Sequence, residues 1–373
     1  HRFQESEQRR DAKEMRYYRN LTELYDDGSY AKYLKGDGAL SVETTPPDAS
    51  VELARIEEQD RVLAPGDVRD LGTTPLRKIP LPMGSYRLKL QAEGMGTVLR
   101  PVYVGRRQHL LVRVQMYPEE AVGEDYRFVP GGPFIMGGDM QAFDAVERAM
   151  VHVSDFAIAR YPVTLVEYLE FINALAVDDP MTAQFRVPRQ PGGIDPLFTR
   201  GPDGKYFMPA FDRQNKLMDD RFPVFWISWE DGVAYLEWLS SKAGVRYRLP
   251  TEAEWEKAAR GVDGRFYPWG DRFDHVFCKN DESRAERPQL EVTGAFPIDC
   301  SPYGVRDMAG GVREWCDDWF DEARGQRVVR GGAWNLSEAY TRVCNRYGLN
   351  PEDVEVNVGF RAVKELDRPS RKP

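Results

Sequence analysis

Apolar and polar positions alternate with a period of two in four places: Leu40-Ser-Val42-Glu-Thr44, Val51-Glu-Leu53, Tyr86-Arg-Leu88-Lys-Leu90 and Val112-Arg-Val114. Successive side chains on a strand point to opposite faces, so this spacing predicts half-buried strands. Pro46-Pro47-Asp48 and Met83-Gly84-Ser85 punctuate them with turn-forming residues. Residues 39–118 therefore predict a small all-β sandwich. Upstream, over 4–35, Met15, Tyr18, Leu21, Leu24 and Tyr25 follow a helical spacing and form a narrow apolar stripe. Asp26-Asp27-Gly28 predicts its stop. Such a stripe either covers the next domain or belongs to the last helix of a helical array.

The pattern changes over 124–366. Thr164 with Glu167, Ser228 with Asp231 and Thr251 with Glu254 are three capping boxes. In each, a side-chain oxygen takes a free backbone N–H and the acid three residues on reaches back. They predict helices over 165–175, 229–243 and 252–260, with Gly244 and Gly261 behind the last two as stops. So few helices in so long a segment leave short strands and extended loop. The predicted class is α+β: an N-terminal helix, a β-sandwich, then a loop-rich mixed domain.

The length of 373 residues suits two to three domains. A net charge of −9 offers no basic face, apart from the short tail Arg368 to Lys372, so nucleic acid is not an expected partner. No apolar run approaches the roughly 20 residues of a membrane span, so membrane insertion is not expected. All four cysteines, Cys278, Cys300, Cys316 and Cys344, fall in the last hundred positions, which argues against a disulfide framework and for a reducing, cytoplasmic setting. The four histidines are never at ligand spacing, and HExxH, CxxC, GxxxxGK[ST] and GxSxG are all absent. The chain opens without Met and without a signal-peptide pattern, and reads as part of something longer.

Ordered motifs then point to a family. They are Phe128-Val-Pro-Gly-Gly-Pro-Phe-Ile-Met-Gly137, Arg160-Tyr-Pro-Val-Thr164, Pro223-Val-Phe-Trp-Ile-Ser-Trp229 and Arg248-Leu-Pro-Thr-Glu-Ala-Glu-Trp-Glu-Lys-Ala-Ala-Arg260. Pro268-Trp-Gly270, Ser301-Pro-Tyr-Gly-Val-Arg-Asp-Met-Ala-Gly310, Glu314-Trp315, Arg330-Gly-Gly-Ala-Trp-Asn335 and Gly359-Phe-Arg361 follow. Together they resemble the formylglycine-generating-enzyme domain, whose fold is C-type-lectin-like. The run from Thr45 through Leu71-Gly-Thr-Thr-Pro75 to Leu81-Pro-Met-Gly84-Ser-Tyr86 resembles a PEGA β-domain.

The resemblance implies a copper-binding thiolate pair after the Arg-Gly-Gly motif. Here those positions hold Leu336 and Thr341, which cannot form thiolates. Cys344 is a single nearby thiol, and Cys316 reads as a packed small hydrophobe. A related branch uses a histidine-rich iron domain, and nothing before residue 124 supplies three histidines. Two non-catalytic branches remain. One displays ligand-binding side chains from the C-terminal segment, as in diversity-generating retroelement proteins. The other sits at the C-terminus of large bacterial Ser/Thr protein kinases, and the segment 25–40 resembles the linker of those kinases. The resemblance also implies calcium, with Asn280 and Glu314 as ligating side chains, weakened because Gly311 stands where the family has Asn. No other cofactor is expected. Trp334, Asn335, Leu336, Tyr340, Arg342, Arg346 and Tyr347 mix aromatics with arginine, the composition of recognition surfaces. For Trp334, Arg342 and Arg346, ordinary packing is the competing reading. The expected partner is a protein or small molecule, with a kinase domain in cis.

Overall fold

The computed structural model describes residues 2, 12–25, 36–190, 196–210, 217–285 and 288–367. The rest of the helical segment expected over 4–35, its Asp26-Asp27-Gly28 stop and the basic tail lie outside the described residues. Helix α1 spans Ala12–Tyr25. Its apolar stripe finds little cover among the described residues: Leu24 and Tyr25 are 74% and 80% exposed. No described helix is long and apolar enough to cross a membrane.

Seven strands build the sandwich: β1 (Gly38–Thr45), β2 (Ser50–Gln59), β3 (Val62–Thr73), β4 (Leu76–Leu81), β5 (Gly84–Gln91), β6 (Val98–Val104) and β7 (His109–Gln115). One sheet runs β3-β2-β5-β6 and the other β4-β1-β7, with β1 and β7 parallel. The alternation read from the sequence is the core. Leu40 and Val42 face Val51, Leu53, Tyr86, Leu88, Leu90, Val112 and Val114, and all are buried. The β2–β3 hairpin extends beyond this core to the second part of the molecule. There the Leu63 amide donates to the Trp269 carbonyl (2.7 Å), and Arg61 pairs with Asp274 and Arg272 with Glu58. Arg100 of β6 crosses the same boundary and donates to the Pro130 carbonyl at 2.8 Å.

After a short turn of helix, α2 (Glu119–Val122), the larger part begins. One four-stranded sheet sets β8 (Tyr126–Val129) and β11 (Phe156–Ala159) beside two short late strands, β14 (Tyr247–Arg248) and β19 (Val363–Lys364). The hairpin β9 (Gly132–Met136) and β10 (Ala149–Val153) stands beside it, with a further small hairpin, β12 (Thr199–Arg200) and β13 (Tyr206–Phe207). A second four-stranded sheet has the order β17-β16-β15-β18, with β15 at Arg313–Asp321, β16 at Gln326–Arg330, β17 at Arg346–Leu349 and β18 at Val358–Gly359. Helices α3 (Leu165–Asp178), α4 (Pro180–Arg186), α5 (Trp229–Ala243) and α6 (Glu252–Arg260) pack around these sheets.

All three capping boxes form. Each cap contributes about 1 kcal/mol by satisfying N–H groups that the helix itself leaves free. Helix α3 runs past its expected end, because no glycine stops it, and ends at Asp179, which caps α4. Gly244 takes the left-handed conformation (φ 67°) that ends α5. The class is α+β with few helices and much loop. Apolar cores lie between α3, α5 and the second sheet, and between α6 and the first.

Candidate functional site

Helix α6 reads as a surface helix, Glu-Ala-Glu-Trp-Glu-Lys-Ala-Ala-Arg, yet Glu252, Glu254, Glu256, Lys257 and Arg260 are all buried. Glu254 is taken by Arg248 and Lys257 by the Pro130 and Gly132 carbonyls, while Glu252 and Glu256 join a chain of ion pairs to the C-terminal segment. Arg330 donates to Glu252 (2.8 Å) and to Glu256 (2.6 Å), and Arg260 donates to Glu256 at 2.9 Å. Arg346 pairs with Glu252. Alongside, Arg361 grips both oxygens of Glu314 at 2.6 Å each, and Trp255 Nε1 donates to Glu314 at 2.7 Å. A buried carboxylate is tolerable only when its oxygens are taken by such donors. The two arginine neighbours hold the Glu256 carboxyl below its ordinary range, although burial pushes the other way and is the largest single influence.

This framework fixes the backbone over which 331–347 runs, and the candidate residues divide on it. Arg342 belongs to the packing: it is buried, forks onto Asp139 at 2.6 and 3.0 Å, and donates to the Tyr267 hydroxyl at 3.0 Å. Arg346 is likewise spent on Glu252. Both members of the expected binding set are thus already paired in the structure, each with an acid directly opposite its guanidinium. Trp334 is half-buried, with its amide on the Gly311 carbonyl (2.8 Å) and Nε1 on the Val356 carbonyl (3.4 Å). Asn335 accepts from Asn357 Nδ2 at 2.9 Å. Leu336 is partly exposed, and its carbonyl receives the Asp281 amide.

Tyr340 and Tyr347 lie together. Tyr340 closes the short 3-10 turn Glu338–Tyr340, and its ring packs on Phe143 with centroids 4.8 Å apart. Tyr347 is 42% exposed. Between the two tyrosines lies Arg313, its guanidinium carbon 5.2 Å from the Tyr340 ring centre and 4.7 Å from that of Tyr347. Strand pairing explains the meeting. Tyr347 is opposite Val329, Val329 is opposite Trp315, and Arg313 is two residues from Trp315, hence on the same sheet face. Phe143, Arg313 and Asn357 were not singled out from the sequence. For Arg313 the signal was available: it precedes Glu314-Trp315 in a strand and shares a face with the Trp.

Thiol chemistry is poorly served here. Thr341 is buried with its hydroxyl on the Glu338 carbonyl (2.7 Å), beside a Leu336 that has no polar side-chain atom. Cys344 Sγ lies 2.9 Å from Arg260 and 3.6 Å from Glu256, but burial pushes its thiol up to about 12. Burial raises Cys278 and Cys316 as well.

The residues do not fit the calcium ion that the resemblance implies. Both Glu314 oxygens already face a guanidinium. Asn280 uses Oδ1 to accept the Glu282 amide and Nδ2 to reach the His275 and Cys278 carbonyls. The Lys279 ammonium, not a metal, sits near Glu291 (3.7 Å) and donates to Ser283 Oγ at 3.0 Å. Among the described residues no three His, Cys, Asp or Glu side chains converge as a metal site would require.

Residues 114–366 match the sulfatase-modifying factor enzyme 1-like domain family, and residues 66–120 match the PEGA domain. An inactive C-alpha-formylglycine-generating enzyme 2 from Mus musculus is 31% identical over 318 residues, covering 74% of this chain and 96% of that protein. A formylglycine-generating enzyme from Thermomonospora curvata is 30% identical, covering 64% of this chain and 92% of its own. The Ser/Thr protein kinase pkn1 of Chlamydia caviae is 27% identical over 70% of this chain, and the match spans 43% of the kinase. The relatives thus include inactive and active proteins of one fold, and a kinase.

Proposed function

Because the chain belongs to the sulfatase-modifying factor enzyme 1-like domain family, we propose that its 124–366 part is a non-catalytic recognition module that binds a partner through the face around Tyr340 and Tyr347. The carrying observation is the pair Leu336 and Thr341, which puts a hydrocarbon and a tied hydroxyl where the oxidising branch needs two thiolates. Neither ligates Cu(I), and neither enters a mixed disulfide. The same backbone address can serve chemistry or binding, and side chains decide which. Aromatic rings around a guanidinium give contact area and directional donors with little entropy to lose, which suits binding. The module needs no calcium and no other cofactor. The likeness to pkn1 supports a role as the recognition region of a bacterial Ser/Thr kinase.

Two measurements test this. Purified chain incubated with copper, O₂ and a Cys-containing sulfatase-type peptide is expected to yield no formylglycine; aldehyde formation defeats the reading. A photo-crosslinking residue at Tyr347 is expected to trap a discrete partner in the cell of origin, whereas the same residue at the exposed Val68 of the sandwich is not. Equal trapping at both positions, or none at Tyr347, defeats it equally. The coding sequence upstream of His1 decides the kinase association.

A further inference from the structure

Arg313 differs from the arginines of the ion-pair network, and from Arg327, which lies over Trp229 and Trp319 but donates to the Asp317 carbonyl. Arg313 is only 9% exposed, its backbone amide is fixed on the Asn357 carbonyl (2.8 Å), and its side chain is held between Tyr340 and Tyr347. Arg330, Arg342, Arg346 and Arg361 each have a carboxylate across from them. Among the described residues Arg313 has none within ion-pair distance, and its guanidinium donates no hydrogen bond to the protein. A guanidinium carries five N–H donors and ordinarily spends them when removed from water. Here two rings repay part of the cost by cation–π attraction and leave the donors unspent.

We propose that Arg313 is an oxyanion receptor for the partner, taking one carboxylate in a two-pronged hydrogen-bonded pair between Tyr340 and Tyr347. This rests on the recognition reading and names the chemistry of its ligand. The geometry favours a carboxylate over a phosphate because there is one free guanidinium and no second cation to share a doubly charged group. The adjacent arginines are neutralised by Glu252, Glu256 and Asp139, and Glu355 contributes a further negative field at Arg313. Burial pushes the Arg313 guanidinium down from its ordinary value, which is the direction expected of a cation awaiting a counter-charge. A guanidinium pinned by rings, with no nitrogen both fully buried and unpartnered, keeps its unspent donors open to solvent and loses little freedom on pairing, so the fork is preorganised. The carboxylate belongs to an acidic side chain or to a chain terminus.

The test follows the Arg313 Nε–H resonance during titration with small probes. N-acetyl-glutamate α-amide presents a side-chain carboxylate, N-acetyl-glutamine a terminal one, N-acetyl-glutamine amide neither, and inorganic phosphate the competing anion. The expected result is a saturable shift with one or both carboxylates, the tighter naming the source, and none with the neutral amide. Arg313→Lys is expected to weaken the tighter probe by about tenfold, since an ammonium lacks the planar fork. Arg313→Gln, which removes an unpaired charge and leaves the fold intact by thermal melt, abolishes the chemical-shift response of the neighbouring Tyr347 amide. Tyr347→Phe keeps the ring and binding, whereas Tyr347→Leu loses several-fold. An equal response to the neutral amide, no response to either carboxylate, tighter phosphate binding, or an unchanged response in Arg313→Gln overturns the proposal. If crosslinking at Tyr347 still traps its partner while these titrations fail, the recognition reading stands and this inference alone falls.

Discussion

Two regions of the same short segment make opposite use of arginine. On the helix α6 side, Arg330 and Arg346 are matched by Glu252 and Glu256, and the charges serve to hold a helix against a sheet. On the opposite side, Arg313 is surrounded by rings and has no acid. Chain neighbours fall on either side of this division: Glu314 joins the ion-pair network, while Arg313, one residue before it, lies between the tyrosines. What separates them is strand alternation, which sends one into the ion-pair network and the other to the tyrosine face. Pairing consumes a charge as structure, and the lack of it leaves a charge without a counter-ion in the described residues.

The comparison breaks most visibly at Arg330. Arg330→Ala leaves buried Glu252 with Arg346 alone and Glu256 with Arg260 alone, and the expected loss is about 3 kcal/mol. Denaturant unfolding measures it, and a loss below about 1 kcal/mol means the network is not structural. Trp334→Ala is the next test. Its ring is half-buried, so the expected cost is about 1–3 kcal/mol, less than for a fully buried Trp.

A third effect comes from the acids behind the face. Burial, aided by Asp307, pushes Asp299 up from 3.8 to about 8, while the Met308 and Ala309 amides hold its oxygens. An acid whose folded value is raised keeps its proton in the native state after the unfolded chain has released it. Its contribution is therefore fully present below about pH 4 and is lost as pH rises toward about 8. Melting temperature measured at pH 5 and pH 7 is expected to fall more in the parent than in Asp299→Asn; parallel profiles refute the assignment.

Smaller still is the cost of thinning the face. Leu336→Ala and Tyr340→Ala are expected to change stability by no more than about 1 kcal/mol, while partner affinity falls by about 1–2 kcal/mol or more. The smallest effect expected is from chelator, which should leave the melting curve unmoved. A saturated structural site would contribute about 2.7 kcal/mol at 100 times its Kd, so a shift of that order restores calcium.

The strands and caps were legible because they rest on local rules. Period-two alternation placed β1, β2, β5 and β7, and three boxes placed α3, α5 and α6. The three other sandwich strands were not singled out. In β3, Pro65 and Gly66 interrupt the pattern, and in β6 the buried run Arg100-Pro101-Val102 hides the alternation. Charge misled more deeply. Helix α6 looks solvated because the arginines that pair Glu256 and Glu252 from the second sheet lie 74 to 94 residues away. The pairing of Arg342 and Arg346 was hidden for the same reason: Asp139 and Glu252 are remote in sequence, so a paired arginine looks the same as a free one. The strand position of Arg313 was legible beside Glu314-Trp315, but the lack of a pairing acid that sets it apart shows only in three dimensions.

The long reach of the ion-pair network also bears on how this molecule is made. During synthesis Glu252 and Glu256 appear well before Arg330, and Glu314 before Arg361. Until those cations emerge, helix α6 cannot desolvate its acids, and the sheet it covers has no finished surface. The sandwich closes its own sheets by Gln115, long before. Its projecting hairpin must then wait for Trp269 to receive the Leu63 amide. The larger part therefore commits only after Arg361 has emerged, and a ribosome stalled before it would hold a closed sandwich tethered to an uncommitted chain.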